Sequence, residues 1–363
     1  MRIAYIALKG MPLGGGIENL TEQVGSRLVE RGHEVIVYCS PQYNIRPGKY
    51  KGMDIKILPA INTKSLHKIS LVFFSTLHLL IKEKVDIAHF HAVGPSIFSF
   101  LPRLKGIKTV VQIHGLEWKR PKWGIIGKTF FMLSDYSAAY FPHKVTAVSR
   151  VLKEYYEQKF GINVHYIPTG INEINSRVPN KILEYGLNKD TYILFACRLV
   201  PDKGAHYLIN AFNELKTDKK LVIAGDAAYA DNYINSLKQK ANKNTLFLGF
   251  VTGELLEELF SNAYLYVLPS EIEGLSISLL EAMNNGNCVL VSDIPENLEA
   301  LNGHGYTFAN KDTKDLQRML RLLLERKDLV DDKKESAKKH VLENYHWDKI
   351  VDMYEELYSS MLK

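Results

Sequence analysis

Short runs of β-branched and aromatic residues alternate with longer amphipathic stretches along this 363-residue chain, and halfway through the pattern starts again. In the first half the predicted strands are Ile3–Leu8, Glu34–Tyr38, Ile55–Leu58, Ile87–His91, Thr109–His114, Lys144–Val148 and His165–Ile167. Between them lie helical patterns such as 18–31, where Leu20, Val24, Leu28 and Val29 recur near a 3.6-residue period. The second half offers Tyr192–Ala196, Lys220–Ala224, Thr245–Leu248, Leu265–Leu268 and Cys288–Val291. Several of these runs are apolar throughout, as expected of strands covered on both faces. Alternation of this kind dictates an α/β fold with parallel sheets wrapped by helices. The polar stretch 172–189, which carries Pro179 and no strand pattern, predicts the break between two domains, 1–175 and 176–346. An amphipathic helix with an apolar stripe of Val351, Tyr354, Leu357 and Met361 closes the chain at 347–363.

Hydrophobic content of 46% and charged content of 24% let each half bury its own core. The opening run MRIAYIALKG reads as a first strand, without the small-residue cleavage site of a signal peptide. Ile69–Ile81 is the most apolar stretch, too short to span a bilayer, and reads as a buried or half-buried helix. Cys39, Cys197 and Cys288 are widely spaced and fit reduced thiols in a cytoplasmic protein. The net charge of +6 conceals an asymmetry: residues 1–175 carry 23 Lys+Arg against 12 Asp+Glu, and residues 176–363 carry 23 against 28. The basic half suits an anionic acceptor or peripheral contact with the inner face of an anionic membrane. A scattered, solvated surface accounts for the same counts. No nucleic-acid-binding module accompanies the charge.

Four segments carry candidate chemistry. After the strand ending at Leu268 comes PSEIEGLSISLLEAMNNG. Glu273 precedes a helix predicted to run to about Asn285, and Glu281 lies within it. Amides of Gly274, Leu275 and Ser276 at the helix start suit a phosphate. Eight residues of helix span about 12 Å, roughly the reach from one sugar across a diphosphate to another. Ionised carboxylates accept strong hydrogen bonds from sugar hydroxyls. In CRLVPDKG, Arg198 and Lys203 follow an apolar strand, where they can clamp a diphosphate and stabilise a leaving group that gains charge. In LKGMPLGGGIE, Gly15 and Gly16 belong to a run of three glycines that lets backbone approach a ligand. The run does not fit GxGxxG, and the second strand ends without an acid, which argues against a dinucleotide enzyme. In QIHGLEWKRPKWG, His114 ends a strand. The mixture of Trp118, Lys119, Arg120, Lys122 and Trp123 after it suits an interfacial position.

Together these residues resemble the retaining glycosyltransferases of family 4, with the GT-B fold of two Rossmann-like domains facing each other across a cleft. The resemblance spans essentially the whole chain. Its motifs are Glu273 and Glu281 in EGLSISLLEAM, Arg198 and Lys203 in CRLVPDKG, GGGIE, HGLEW, AVSR at 147–150, IPTG at 167–170 and SDIPENLE at 292–299. It implies that Arg198 and Lys203 hold the donor diphosphate with help from the amides of Leu275 and Ser276. Glu281 would bind the ribose and Glu273 the transferred sugar, Gly16 would approach the diphosphate, and His114 would bind a sugar hydroxyl. Phe250 and Val251 would line the base pocket, and the helix 347–363 would pack back on the first domain. Thr169 stands where the family commonly has Asn, and Leu275-Ser276 also departs from it, which bears on donor choice.

The resemblance further implies transfer of a hexose-type sugar from a UDP- or GDP-sugar to a glycan or lipid-linked acceptor in cell-surface polysaccharide or glycolipid synthesis. Retention would follow from front-face substitution. No cofactor is expected, and the lack of any Asp-x-Asp motif predicts no catalytic metal. A GT-B-like sugar-nucleotide epimerase and a non-catalytic sugar-nucleotide-binding protein remain the alternatives.

Overall fold

The strand β1 (Arg2–Leu8) buries six of its seven residues, which only a sheet covered on both faces can do. It belongs to the first of two units in the computed structural model, which describes residues 1–12, 15–43, 46–63, 66–227 and 230–363. That unit comprises Met1–Gly170 and Trp347–Lys363, and the second comprises Ile171–His346. The division falls five residues before the boundary predicted at 175.

The first unit continues with β2 (Glu34–Cys39), β3 (Gly48–Tyr50), β4 (Met53–Ile57), β5 (Ile87–His91), β6 (Lys108–Ile113), β7 (Lys144–Ala147) and β8 (Val164–Tyr166). The helices α1 (Gly16–Glu30), α2 (His67–Lys82), α3 (Phe100–Arg103), α4 (Ile125–Tyr140) and α5 (Arg150–Phe160) connect them. The sheet order is β3-β4-β2-β1-β5-β6-β7-β8, and only the β3–β4 pair is antiparallel. From β1 the chain builds outward through β2 to one edge, then returns to place β5 on the other side. Such a reversal leaves a crevice at the carboxyl ends of β1 and β5.

The second unit repeats the plan with β9 (Tyr192–Ala196), β10 (Lys220–Ala224), β11 (Thr245–Gly249), β12 (Leu265–Leu268), β13 (Val289–Ser292) and β14 (Tyr306–Phe308), ordered β11-β10-β9-β12-β13-β14. Its helices are α6 (Ala205–Asn213), α7 (Asp231–Lys240), α8 (Gly253–Asn262), α9 (Ile277–Asn284), α10 (Pro295–Leu301), α11 (Thr313–Glu325) and α12 (Lys327–Tyr345). Here the reversal lies between β9 and β12. The three-residue strands β3 and β14 escaped the sequence reading, whereas β8, equally short, was read one residue late as His165–Ile167.

The last helix, α13 (Trp347–Leu362), completes the first unit. Trp347, Ile350, Val351, Tyr354 and Tyr358 join Ile3, Tyr5 and Leu20 in one buried cluster. Charges fix its register: Arg31 pairs with Asp352 and Glu355 at 2.7 Å each, and Arg27 with Asp348 at 3.3 Å. A Cβ at Gly170 would sit 2.6 Å from the Trp347 ring, so the glycine ending IPTG is required by this packing.

Candidate active site

The crevice between β9 and β12 is where the second unit gathers its charged side chains. The chain leaving β9 turns through a short 3-10 segment, Pro201–Lys203, and Gly204 then starts α6. Gly204 has φ +72°, and a Cβ there would come 1.9 Å from the Pro269 carbonyl oxygen in the loop after β12. Only glycine lets the two loops approach this closely. The Glu271 amide donates to the Asp202 carbonyl at 2.9 Å, and the Tyr207 hydroxyl donates to Glu271 at 2.9 Å. Lys311 adds an ion pair to Glu271 at 2.9 Å.

This lacing brings Lys203 and Glu273 together. The Lys203 ammonium donates to Glu273 Oε1 at 2.5 Å, with both side chains buried. Such a pair withstands burial only because each charge answers the other, and removing one partner strands the second. Arg198 lies exposed at the end of β9. Its charge and those of Lys203 and Glu273 all act on the Cys197 thiol, which burial holds above its usual range. The guanidinium has no hydrogen bond or ion pair to the described residues, which leaves its donors available to a ligand.

The helix α9 begins later than predicted. Ser276 is its N-cap, with the side-chain oxygen accepting from the Leu279 amide at 3.4 Å. The amides without an intrahelical partner are therefore those of Ile277 and Ser278, ahead of the Leu280 amide that bonds the Ser276 carbonyl. Gly274 and Leu275 lie in the loop before the cap. The correction has a physical reason: a serine at this position satisfies the first turn better by capping than by entering the helix. It also means that Glu273 and Glu281 are separated by loop plus one helical turn, so the 12 Å span does not apply. Glu281 sits on α9, half-buried at the surface, and burial pushes its carboxyl up to about 7. Tyr266 of β12 runs beneath the site, donating to Ser278 Oγ at 2.8 Å and reaching the Ala196 carbonyl at 3.4 Å.

Phe250 and Val251 directly follow β11. Val251 packs on the core cluster that also receives Leu275, whereas Phe250 is 70% exposed.

The first unit holds the other predicted residues. Gly15 caps α1 in extended conformation and Gly16 is its first residue. A Cβ on Gly15 would meet the Glu18 carboxylate at 2.3 Å. Among the described residues the space over this glycine belongs to Glu18, which also accepts from the Lys9 amide at 3.3 Å. Leu13 and Gly14 of the glycine run lie outside the described residues. His114 stands one residue beyond β6, half-buried, with Nε2 3.1 Å from His91 Nδ1. His91 in turn meets Thr21 Oγ1 at 3.1 Å and stacks on His89 with ring centroids 4.6 Å apart. Burial brings both His114 and His89 down to about 3, so these rings are neutral. The rings of the Trp/Lys segment after His114 pack against the protein, while Lys119 and Lys122 stay exposed. Trp123 packs on Phe131 at 4.8 Å between ring centroids, and Lys122 lies over its indole at 4.8 Å.

Sequence reasoning passed over Asp202, Tyr207, Tyr266, Glu271 and Ser278, whose roles depend on β9 lying beside β12. His91 could have been found, because HFH ends a strand beside the glycine loop.

Two doubly wound sheets, one in each unit and each with its reversal crevice, are the architecture of a GT-B protein. The structure superposes on that of Anabaena HepE in complex with UDP and glucose with a TM-score of 0.82, at 16% identity, covering 99% of this chain and 100% of that one. The sequence model of Glycosyltransferase Family 4 matches residues 14–173, and that of Glycosyl transferases group 1 matches residues 180–340. The chain belongs to glycosyltransferase family 4, of the group 1 type. An uncharacterized glycosyltransferase of Methanocaldococcus jannaschii is 29% identical over 97% of this chain and 96% of its own. The UDP-Gal:alpha-D-GlcNAc-diphosphoundecaprenol alpha-1,3-galactosyltransferase of Escherichia coli is 26% identical over 82% of this chain and 80% of its own.

Proposed function

We propose that this glycosyltransferase moves a hexose-type sugar from a UDP- or GDP-sugar to a hydroxyl of a glycan or lipid-linked acceptor, retaining the anomeric configuration. The observation that carries the reading is the Lys203–Glu273 pair at the β9–β12 crevice, flanked by Arg198 and by the amides of Ile277 and Ser278. Two cations and a helix start favour a diphosphate. Glu273 and Glu281 supply acceptors for hydroxyls of the transferred sugar and the ribose. The uridine nucleotides in the Anabaena structure and in the name of the E. coli relative support a nucleoside-diphosphate donor.

In the reaction, the bond between the anomeric carbon and the diphosphate oxygen breaks with its electron pair passing to the phosphate. The acceptor oxygen forms the new bond on the same face, and its proton passes to a phosphate oxygen. Lys203 and Arg198 stabilise the charge that develops on the leaving group. His114, neutral throughout the physiological range, accepts or donates a hydrogen bond to the sugar without changing charge.

A thermal-shift screen against UDP-, GDP- and ADP-sugars tests the donor, since a ligand that binds only the folded state raises the melting point. Incubation with the best donor, with and without acceptor, tests the chemistry. Release of nucleoside diphosphate and an axial or equatorial linkage matching the donor is expected; an isomerised sugar formed without acceptor would instead identify an epimerase.

A further inference from the structure

Exposed apolar side chains are concentrated in one stretch of the first unit. Of 21 large apolar residues exposed among the described residues, 13 lie between Leu66 and Phe141. On α2, Phe73, Leu77 and Ile81 recur every fourth residue and form one outward stripe. On α4, Leu133, Tyr136 and Tyr140 form another, and Ile125 and Ile126 at its start are 85% and 88% exposed. The two helices and α3 form a continuous layer. Phe73 meets Phe98 with ring centroids 5.7 Å apart, and Phe100 meets Phe141 at 5.4 Å. Lys105, after α3, donates to the Leu80 carbonyl of α2 at 2.6 Å, and Arg103 to the Phe141 carbonyl at 2.6 Å. A groove of about 410 Å³ opens on this layer, walled by Ile97, Phe130, Leu133, Tyr136 and Tyr140.

The charge of the same stretch is one-sided. Across residues 66–143, all of them described, eight Lys and Arg are exposed, and Asp86 is the one exposed acid. Glu83 is paired with Arg2 at 2.7 Å, Glu117 with Arg120 at 2.9 Å and with Lys122 at 3.6 Å, and Asp135 is buried under Tyr156. A second copy of the chain docked symmetrically here would bring these cations against their own images. What satisfies both the apolar stripes and the cations is a surface with a hydrocarbon interior and a negative face.

We propose that the α2–α3–α4 layer is a membrane-docking face that seats the protein on an anionic bilayer, with Ile125 and Ile126 entering the interface. It replaces the Trp118–Trp123 segment, whose rings are packed inward, as the contact. Lys68 stands in the first turn of α2, and its charge acts on His114, which the transferase reading assigns to the sugar. A face seated on a bilayer suits an acceptor carried on a lipid. The link to an acceptor rests on the transferase reading above, whereas the docking itself does not.

The test is flotation of the full chain with vesicles of phosphatidylcholine alone or with about one-third phosphatidylglycerol. Selective binding to the anionic vesicles is expected. Each removed cation should weaken it by about fivefold, so Lys82→Ala with Lys128→Ala costs roughly 25-fold. Ile125→Ser with Ile126→Ser should weaken binding more than tenfold. In both variants the thermal shift with a nucleotide-sugar stays unchanged, since neither pair touches the donor site. Equal binding to neutral vesicles, or no binding to either, overturns the proposal. So does a stable dimer that the isoleucine variant dissolves, which would make a second copy the occupant. Vesicle binding without sugar transfer would leave the docking face standing and remove the transferase reading instead.

Discussion

The two units share a ground plan and use it in opposite ways. Each sheet reverses direction once, at β1–β5 in the first and β9–β12 in the second, and each reversal opens a crevice. In the second unit that crevice holds opposed charges, with Lys203 locked on Glu273. In the first it holds neutral rings, with His114, His91 and His89 in a row. One topology therefore supplies two recesses, and side-chain chemistry alone makes one charged and the other neutral. The exteriors differ too, since the exposed apolar stripes belong to the first unit.

Four experiments would break or sharpen this comparison. The largest effect is expected from Trp347→Ala, which opens a cavity in the first unit's core and should cost about 3–5 kcal/mol there. Urea unfolding should show the first unit melting early while the second still binds nucleotide. Simultaneous loss of both would mean that the units do not behave independently. Next, Lys203→Ala should lower turnover by about two orders of magnitude, by analogy with losing one charge-stabilising donor. Turnover close to that of the unaltered protein would remove Lys203 from the mechanism.

A smaller effect concerns pH. With a carboxyl near 7, Glu281 is mostly protonated at pH 6 and ionised at pH 8. If the carboxylate is what the ribose needs, donor affinity should rise by about tenfold across that interval. Glu281→Gln should flatten the profile, whereas His114→Asn should leave its shape intact. Stability responds with opposite signs in the two units. The folded state holds the Glu281 proton between about 4.5 and 7, so its contribution falls as pH rises through that window. The buried histidines are neutral when folded and charge readily when unfolded, so the first unit loses stability as pH falls below about 6.5. A melting temperature of the first unit that rises on acidification to pH 5, or one of the second unit that falls between pH 7 and pH 5, would contradict this. The smallest effect is expected from EDTA, which should not alter turnover if, as proposed, side-chain cations alone meet the diphosphate. Loss of activity restored by magnesium would show otherwise.

Much of the plan was legible in the sequence because runs such as Tyr192–Ala196 are apolar on both faces and bounded by polar turns. The charged residues proposed for the donor site were legible as motifs. Their pairing was not, because Lys203 and Glu273 are 70 residues apart and meet only once β9 and β12 are neighbours. The same holds for Tyr266, which reaches Ser278 across that seam. The start of α9 was read too early, with Gly274, Leu275 and Ser276 as its first amides, because the sequence alone did not show that Ser276 caps the helix instead of entering it. The segment Ile69–Ile81 reads as a buried or half-buried helix and α2 is half-buried, but which side stays exposed was not legible, because apolar content alone does not say which face packs on the core.

The return of α13 has a consequence for biosynthesis. A ribosome delivers residues 1–170 long before Trp347 emerges, yet the core around Tyr5, Leu20 and Val24 is finished only by that helix. The second unit is contiguous and can close as soon as its own residues are out. The nascent first unit must therefore wait, incomplete and with its apolar seam open, while a domain encoded later folds ahead of it. A nonsense mutation at Trp347 would remove α13 and leave the core of the half made first open, while the second unit, Ile171–His346, would still be encoded whole.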